Sequence, residues 1–144
     1  MRLGIDLDNT IVRYDELFHR VAMERRLIPD GTPREKNAVR DYLRRIDRED
    51  DWTEMQGTVY GDRMGEAEPF PGVLEFLRSA GAAGIETFIV SHKTRYPARG
   101  PRYNLHAAAT AWIADTLRDA DGNPLVPADR VNLCETKVEK VDRV

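Results

Sequence analysis

Asp6 and Asp8 stand two residues apart in the run "RLGIDLDNTIVRYD", among the apolar Leu3, Ile5, Leu7 and Ile11. A carboxylate among buried neighbours is costly unless it is paired, hydrogen-bonded or bound to a metal. Two of them also repel each other. The pair therefore calls for a cation, and a hard divalent ion such as Mg²⁺ matches carboxylate oxygens. In an extended chain both side chains point to one side of the strand tip while Leu7 points to the other. Thr10 adds a hydroxyl able to fix the loop or to bond to a carboxylate. In a parallel α/β sheet this strand end is where ligands bind.

A second chemical cluster lies in "HKTRYPARGPRYN", residues 92 to 104. Lys93, Arg95, Arg99 and Arg102 alternate there with Tyr96 and Tyr103, in a loop broken by Pro97, Gly100 and Pro101. The arginines suit a second phosphate or an anionic substrate tail, and the tyrosines could stack a base. The same composition also reads as a solvated basic loop. His92 lines a site or serves structure. His19 and His106 read as face or core residues and Cys134 as a small apolar strand residue. No Cys/His spacing matches a zinc site.

The elements that would position these residues follow from periodicity. Residues 2 to 8 read as the first strand. Residues 14 to 28 are helical, with Leu17 and Val21 on one face. "TPREKNAVRDYLRRI" opens with a capping box, Thr32 at the cap, Pro33 at the first helical position and Glu35 three residues on. "DDWTEMQGTVYGDRM" repeats the device with Asp51 and Glu54. Residues 14 to 68 are therefore expected to be all-helical, with Trp52, Met55 and Tyr60 chiefly packing. "FPGVLEFLRSAGAAG" is a helix opened by Pro71 and closed by glycines. Residues 85 to 91 are a buried strand, "NLHAAATAWIADTLRDA" a helix, residues 130 to 135 a third strand, and "KVEKVDRV" the start of another helix. Strands alternating with helices predict an α/β fold with a parallel sheet.

Composition bounds the function. The chain's 144 residues suffice for one domain with a small insertion, and 41% hydrophobic residues supply a core. A net charge of −3 gives no bias toward nucleic acid or an acidic membrane. No apolar run approaches the roughly 20 residues of a membrane helix. The N-terminus opens into a strand rather than a signal sequence, and a single cysteine fits a reducing cytoplasm.

"DLDNT", residues 6 to 10, resembles the first motif of the haloacid dehalogenase-like (HAD) superfamily, Asp-x-Asp-x-Thr after an apolar strand. Ser91 in "FIVSHKT" ends an apolar strand as that superfamily's second motif does, and the lysines of "ETKVEKVDRV" resemble the third. The order of the motifs and the helical stretch after the first strand are similar too, so the resemblance spans nearly the whole chain. It implies a Rossmann-like core at 1–13 and 69–144 with a helical cap at 14–68. It further implies phosphomonoester hydrolysis, with Asp6 as nucleophile and Asp8 as general acid and base. Mg²⁺ would be held by the Asp6 carboxylate and the Asp8 main-chain carbonyl, and Ser91 would bond to a phosphoryl oxygen. Lys140, with Lys137 as its close competitor, would screen the charge; by itself Lys140 also reads as an exposed helical charge. Thr10, His92, Lys93 and Arg95 complete the expected substrate-facing set.

The implied substrate is a small phosphorylated metabolite or a nucleotide. Dehalogenases of the superfamily as a rule lack the second aspartate as acid and base, so Asp8 favours phosphoryl chemistry, with phosphotransfer as a neighbour. The family's fourth motif, an acidic pair after a further strand, has no counterpart before Val144. The expectation is a piece of a longer protein, with a non-catalytic phosphate- or metal-binding domain as the alternative.

Overall fold

The computed structural model describes residues 1–135. Lys137, Lys140 and the expected terminal helix lie outside the described residues. In chain order the strands and α-helices are β1 (Arg2–Ile5), β2 (Val12–Arg13), α1 (Asp15–Glu24), α2 (Lys36–Arg45), α3 (Glu49–Gly57), β3 (Glu68–Pro69), α4 (Val73–Ala82), β4 (Glu86–His92), α5 (Leu105–Thr116) and β5 (Val131–Cys134). A π-helical turn, Thr58–Asp62, continues α3, and a 3₁₀ turn, Met64–Glu66, follows it.

The fold is α/β. β1, β4 and β5 form a parallel sheet in the order β1-β4-β5, with Ile5 opposite Ile89 and Ser91 opposite Leu133. β4 is central because its run of β-branched and apolar residues tolerates burial on both faces; Thr87, Ile89, Val90 and Ser91 are all buried. α5 presents Leu105, Ala109, Trp112 and Ile113 at helical spacing to the core, and the Asn104 side chain caps it by accepting from the Ala107 N–H at 2.9 Å.

Between β2 and β3 the chain forms α1, α2 and α3, as its periodicity predicts, but residues 25–35 make an irregular connection, so the excursion is not helical throughout. The two ends of this excursion are clipped together: Val12 pairs with Pro69 and Arg13 with Glu68, antiparallel. Its aromatic centre is Phe18 stacked on Trp52 at 4.9 Å, and its buried residues form one continuous core with those of the sheet and α5. The Trp112 indole N–H donates to the Ala67 carbonyl at 2.9 Å. The 92–104 loop lies against α3, so close that a Cβ on Gly57 would sit 2.8 Å from the Pro97 Cβ.

Several boundaries differ from the sequence expectation. β1 ends at Ile5 rather than at residue 8, because the next residues fold into a turn. There the Leu7 carbonyl accepts from the Ile11 and Val12 amides at 2.9 and 3.0 Å, and Asn9 adopts φ 63°. α1 stops at Glu24 because Arg26, at φ 55°, closes a Schellman motif. The Leu27 amide reaches Ala22 and the Arg26 amide Met23.

Neither expected capping box forms. Thr32 donates its hydroxyl to the Pro29 carbonyl at 2.7 Å, and the start of α2 is held from outside by Asp15, which accepts from the Lys36 amide at 2.9 Å. α3 starts earlier than expected, at Glu49, and Asp51 pairs with Arg48 in its first turn instead of capping. α4 begins after Gly72, at φ 89°, rather than at Pro71. A side chain able to cap is overruled wherever a tertiary partner or an earlier nucleation point satisfies the same amides.

Candidate active site

The turn after β1 and the end of β4 meet at the carboxyl end of the sheet. Ser91, only 1% exposed, donates its hydroxyl to Asp6 Oδ1 at 2.8 Å. The Leu7 amide donates to the same oxygen, also at 2.8 Å. Two donors on one oxygen fix the orientation of the Asp6 carboxylate.

Two residues past Ser91 on the same side of the chain, Lys93 is also buried, and its Nζ donates to Asp8 Oδ2 at 2.8 Å. Its main chain is locked from both sides. The Lys93 amide donates to the Cys134 carbonyl of β5 at 2.8 Å, and the Lys93 carbonyl lies 2.7 Å from His106 Nε2 of α5. The ammonium also sits 4.7 Å from the centre of the Tyr60 ring.

Asp8 has a second donor. The Tyr14 hydroxyl, at the entry to α1, donates to Asp8 Oδ1. Tyr14 packs edge-to-face on Tyr60 at 4.9 Å, and Lys36 of α2 donates its Nζ to the Tyr60 hydroxyl at 2.8 Å. Asp6, Asp8, Ser91 and Lys93 thus form a cluster walled on one side by Tyr14, Tyr60 and Lys36 of the helical excursion.

Burial, then the Asp8 charge, pushes the Tyr14 phenol well above its ordinary range. The same two causes raise Tyr60. Both stay protonated at neutral pH, so Tyr14 can only donate to Asp8. Burial lowers the Lys36 ammonium, with the Asp8 carboxylate opposing that shift. Unfolded tyrosine ionises from about pH 10, so above that pH the folded chain holds more protons than the unfolded one. Stability is therefore fully present below pH 10 and falls as pH rises beyond it. In Tyr14→Phe the alkaline fall in denaturant midpoint should be shallower than in wild type; an identical slope would show that Tyr14 is not the buried donor.

The remaining expected site residues lie elsewhere. Thr10 is exposed and lines an apolar hollow with Leu3, Ile5, Val73 and Phe76, on the side of the turn facing α4. His92 alternates away from Ser91 and Lys93; its Nε2 lies 2.9 Å from the Glu135 carbonyl. Arg95 is exposed and pairs with Glu135 at 3.6 Å. Tyr14 and Lys36 were not singled out from sequence. No local spacing signals that Tyr14 comes onto Asp8 or Lys36 onto Tyr60, since the turn at Asn9 and the folding of α2 decide both.

The donor set supplies only part of a Mg²⁺ site. The Asp6 carboxylate and the Asp8 carbonyl are hard oxygens at the right strand end. Both Asp8 carboxylate oxygens, however, already accept from Tyr14 and Lys93. Among the described residues no three His, Cys, Asp or Glu side chains converge to hold a metal.

Among the described residues no helix is long and apolar enough to cross a membrane. No protein-family model, curated protein or solved structure matches the chain.

Proposed function

We infer that this chain is a HAD-like phosphomonoester hydrolase of the cytoplasm, with a Rossmann-like core at 1–13 and 69–144 and a helical cap at 14–68. The observation that carries the reading is the convergence of two distant segments in two neighbouring hydrogen-bonded pairs, Ser91 with Asp6 and Lys93 with Asp8, at the carboxyl end of a parallel sheet.

The Asp6 carboxylate, oriented by Ser91 and the Leu7 amide, attacks phosphorus. An oxygen–phosphorus bond forms to Asp6 and the bond to the leaving oxygen breaks. Asp8 gives that oxygen its proton, releasing an alcohol. Asp8 then takes a proton from water, the hydroxide attacks phosphorus, and the bond to Asp6 breaks to release phosphate. To carry the proton Asp8 must shed one of its two donors, Tyr14 or Lys93. Ser91 turns its hydroxyl from Asp6 to a phosphoryl oxygen, and Lys93 supplies the nearby positive charge. A lysine at 140 or 137 remains a second candidate for that role. Mg²⁺ is the cofactor the reading implies, to offset charge between Asp6 and the phosphoryl group.

The engagement of both Asp8 oxygens favours one other reading, a phosphate- or metal-binding domain without turnover. Hydrolysis of p-nitrophenyl phosphate with and without Mg²⁺, beside calorimetry with inorganic phosphate, separates the two. Metal-dependent release of nitrophenol is the expected result. Phosphate binding with no release would leave the binding domain.

A further inference from the structure

A hollow of about 410 Å³ opens between the turn after β1 and the start of α2, lined by Asn9, Asp15, Glu35, Lys36 and Asn37. It borders the wall of the carboxylate cluster through Lys36, whose Nζ donates to the Tyr60 hydroxyl at 2.8 Å. The Tyr60 ring in turn faces the Lys93 ammonium that bonds to Asp8. Its size falls within the range of about 300–1,000 Å³ usual for small-ligand sites. Its lining departs from theirs, because no aromatic or aliphatic side chain contributes to it. Two amides offer donors and acceptors, two carboxylates offer acceptors, and one ammonium offers donors.

This wall suits hydroxyl groups better than a second phosphate or a base. Two carboxylates oppose an anion. The first amide of α2 is already taken, Lys36 N donating to Asp15 at 2.9 Å. The groups that would serve a nucleotide or an anionic tail do not line this hollow. Arg102 lies over the Tyr96 ring at 4.1 Å, Tyr103 packs against Gly61, and Arg95 and Arg99 pair with Glu135 and Asp50, each at 3.6 Å.

We propose that this hollow is the leaving-group subsite and that it selects polyol phosphates, such as sugar phosphates, over nucleotides, with Asn9, Glu35 and Asn37 bonding to the hydroxyls. The proposal rests on the phosphatase reading for the position of the phosphoryl group at Asp6.

Two measurements test it, both in the presence of Mg²⁺. The first is kcat/KM for a hexose phosphate, adenosine monophosphate and p-nitrophenyl phosphate, on wild type and Asn37→Leu. The hexose phosphate should exceed the nucleotide by about tenfold or more, and Asn37→Leu should lower the hexose-to-nitrophenyl ratio by about tenfold, the effect of one hydrogen bond. The second is calorimetric binding of the same hexose phosphate and nucleotide to Asp6→Asn, which should rank them in the same order. Preference for the nucleotide in either measurement, or an unmoved ratio in Asn37→Leu, overturns the subsite. Preferential hexose phosphate binding without turnover of any ester would overturn the hydrolase reading and leave the subsite standing.

Discussion

Asp6→Asn should reduce phosphomonoester hydrolysis to background, a fall on the order of 10³-fold or more, as expected when a covalent nucleophile is lost. The fold should survive, for a specific reason. An asparagine oxygen can still accept from the Ser91 hydroxyl and the Leu7 amide, the two donors that now meet Asp6 Oδ1. Asp6→Ala serves as a contrast. It strands the Ser91 hydroxyl, which is buried, and an unsatisfied buried donor costs about 1–3 kcal/mol. The two variants should therefore share a loss of turnover and differ in thermal midpoint. Rates are read on p-nitrophenyl phosphate, and the covalent adduct by mass spectrometry after an acid quench. An undiminished rate in Asp6→Asn would remove Asp6 from the nucleophile's role, whatever the stability data show.

The parallel sheet was legible because its signals are local. β4 announces itself by a run of β-branched and apolar residues, α5 by apolar residues at helical spacing, and β1 by the short apolar run that opens the chain, although that run does not mark its end at Ile5. The sequence places Asp6 and Ser91 each at a strand end; that the two strands are neighbours and that Ser91 donates to Asp6 itself is visible only in the structure. The boundaries were less legible, since they depend on partners far away. Asp15 rather than Thr32 satisfies the start of α2, and Arg26 ends α1 in a conformation usually left to glycine.

The environment of Asp8 was hidden for the same reason. Strand alternation does set Ser91 and Lys93 on one side and His92 on the other. It does not say that Lys93 reaches Asp8 instead of solvent, or that Tyr14 and Tyr60 close over the pair. Those contacts exist because the helical excursion shares one core with the sheet, and a shared core is not written in any single window of sequence.

Lys93→Met should be strongly destabilising and should also slow turnover. The Lys93 side chain is 4% exposed and its Asp8 partner 22%. Breaking a buried pair by removing one member costs about 3–5 kcal/mol, and the partial exposure of Asp8 sets the expectation near the lower figure. Methionine keeps most of the volume beside Tyr60, so the loss reports the charge rather than a cavity. Asp8→Asn strands the ammonium instead and should cost a similar amount.

Combining Lys93→Met with Asp8→Asn separates electrostatics from packing. With both charges gone, neither position leaves an uncompensated ion, so the combined cost should be well below the sum of the two single costs. Turnover should not recover in parallel. Lys93→Met alone should lower kcat by about 10²–10³-fold, the usual loss for one charge-stabilising donor, and the double variant should remain inactive because the Asp8 carboxylate is also gone. Denaturant midpoints and kcat measured on the four proteins give both answers. Strictly additive stability costs would mean that the 2.8 Å contact between Lys93 and Asp8 contributes nothing as a pair, and the charge-screening role would pass to a lysine beyond residue 135.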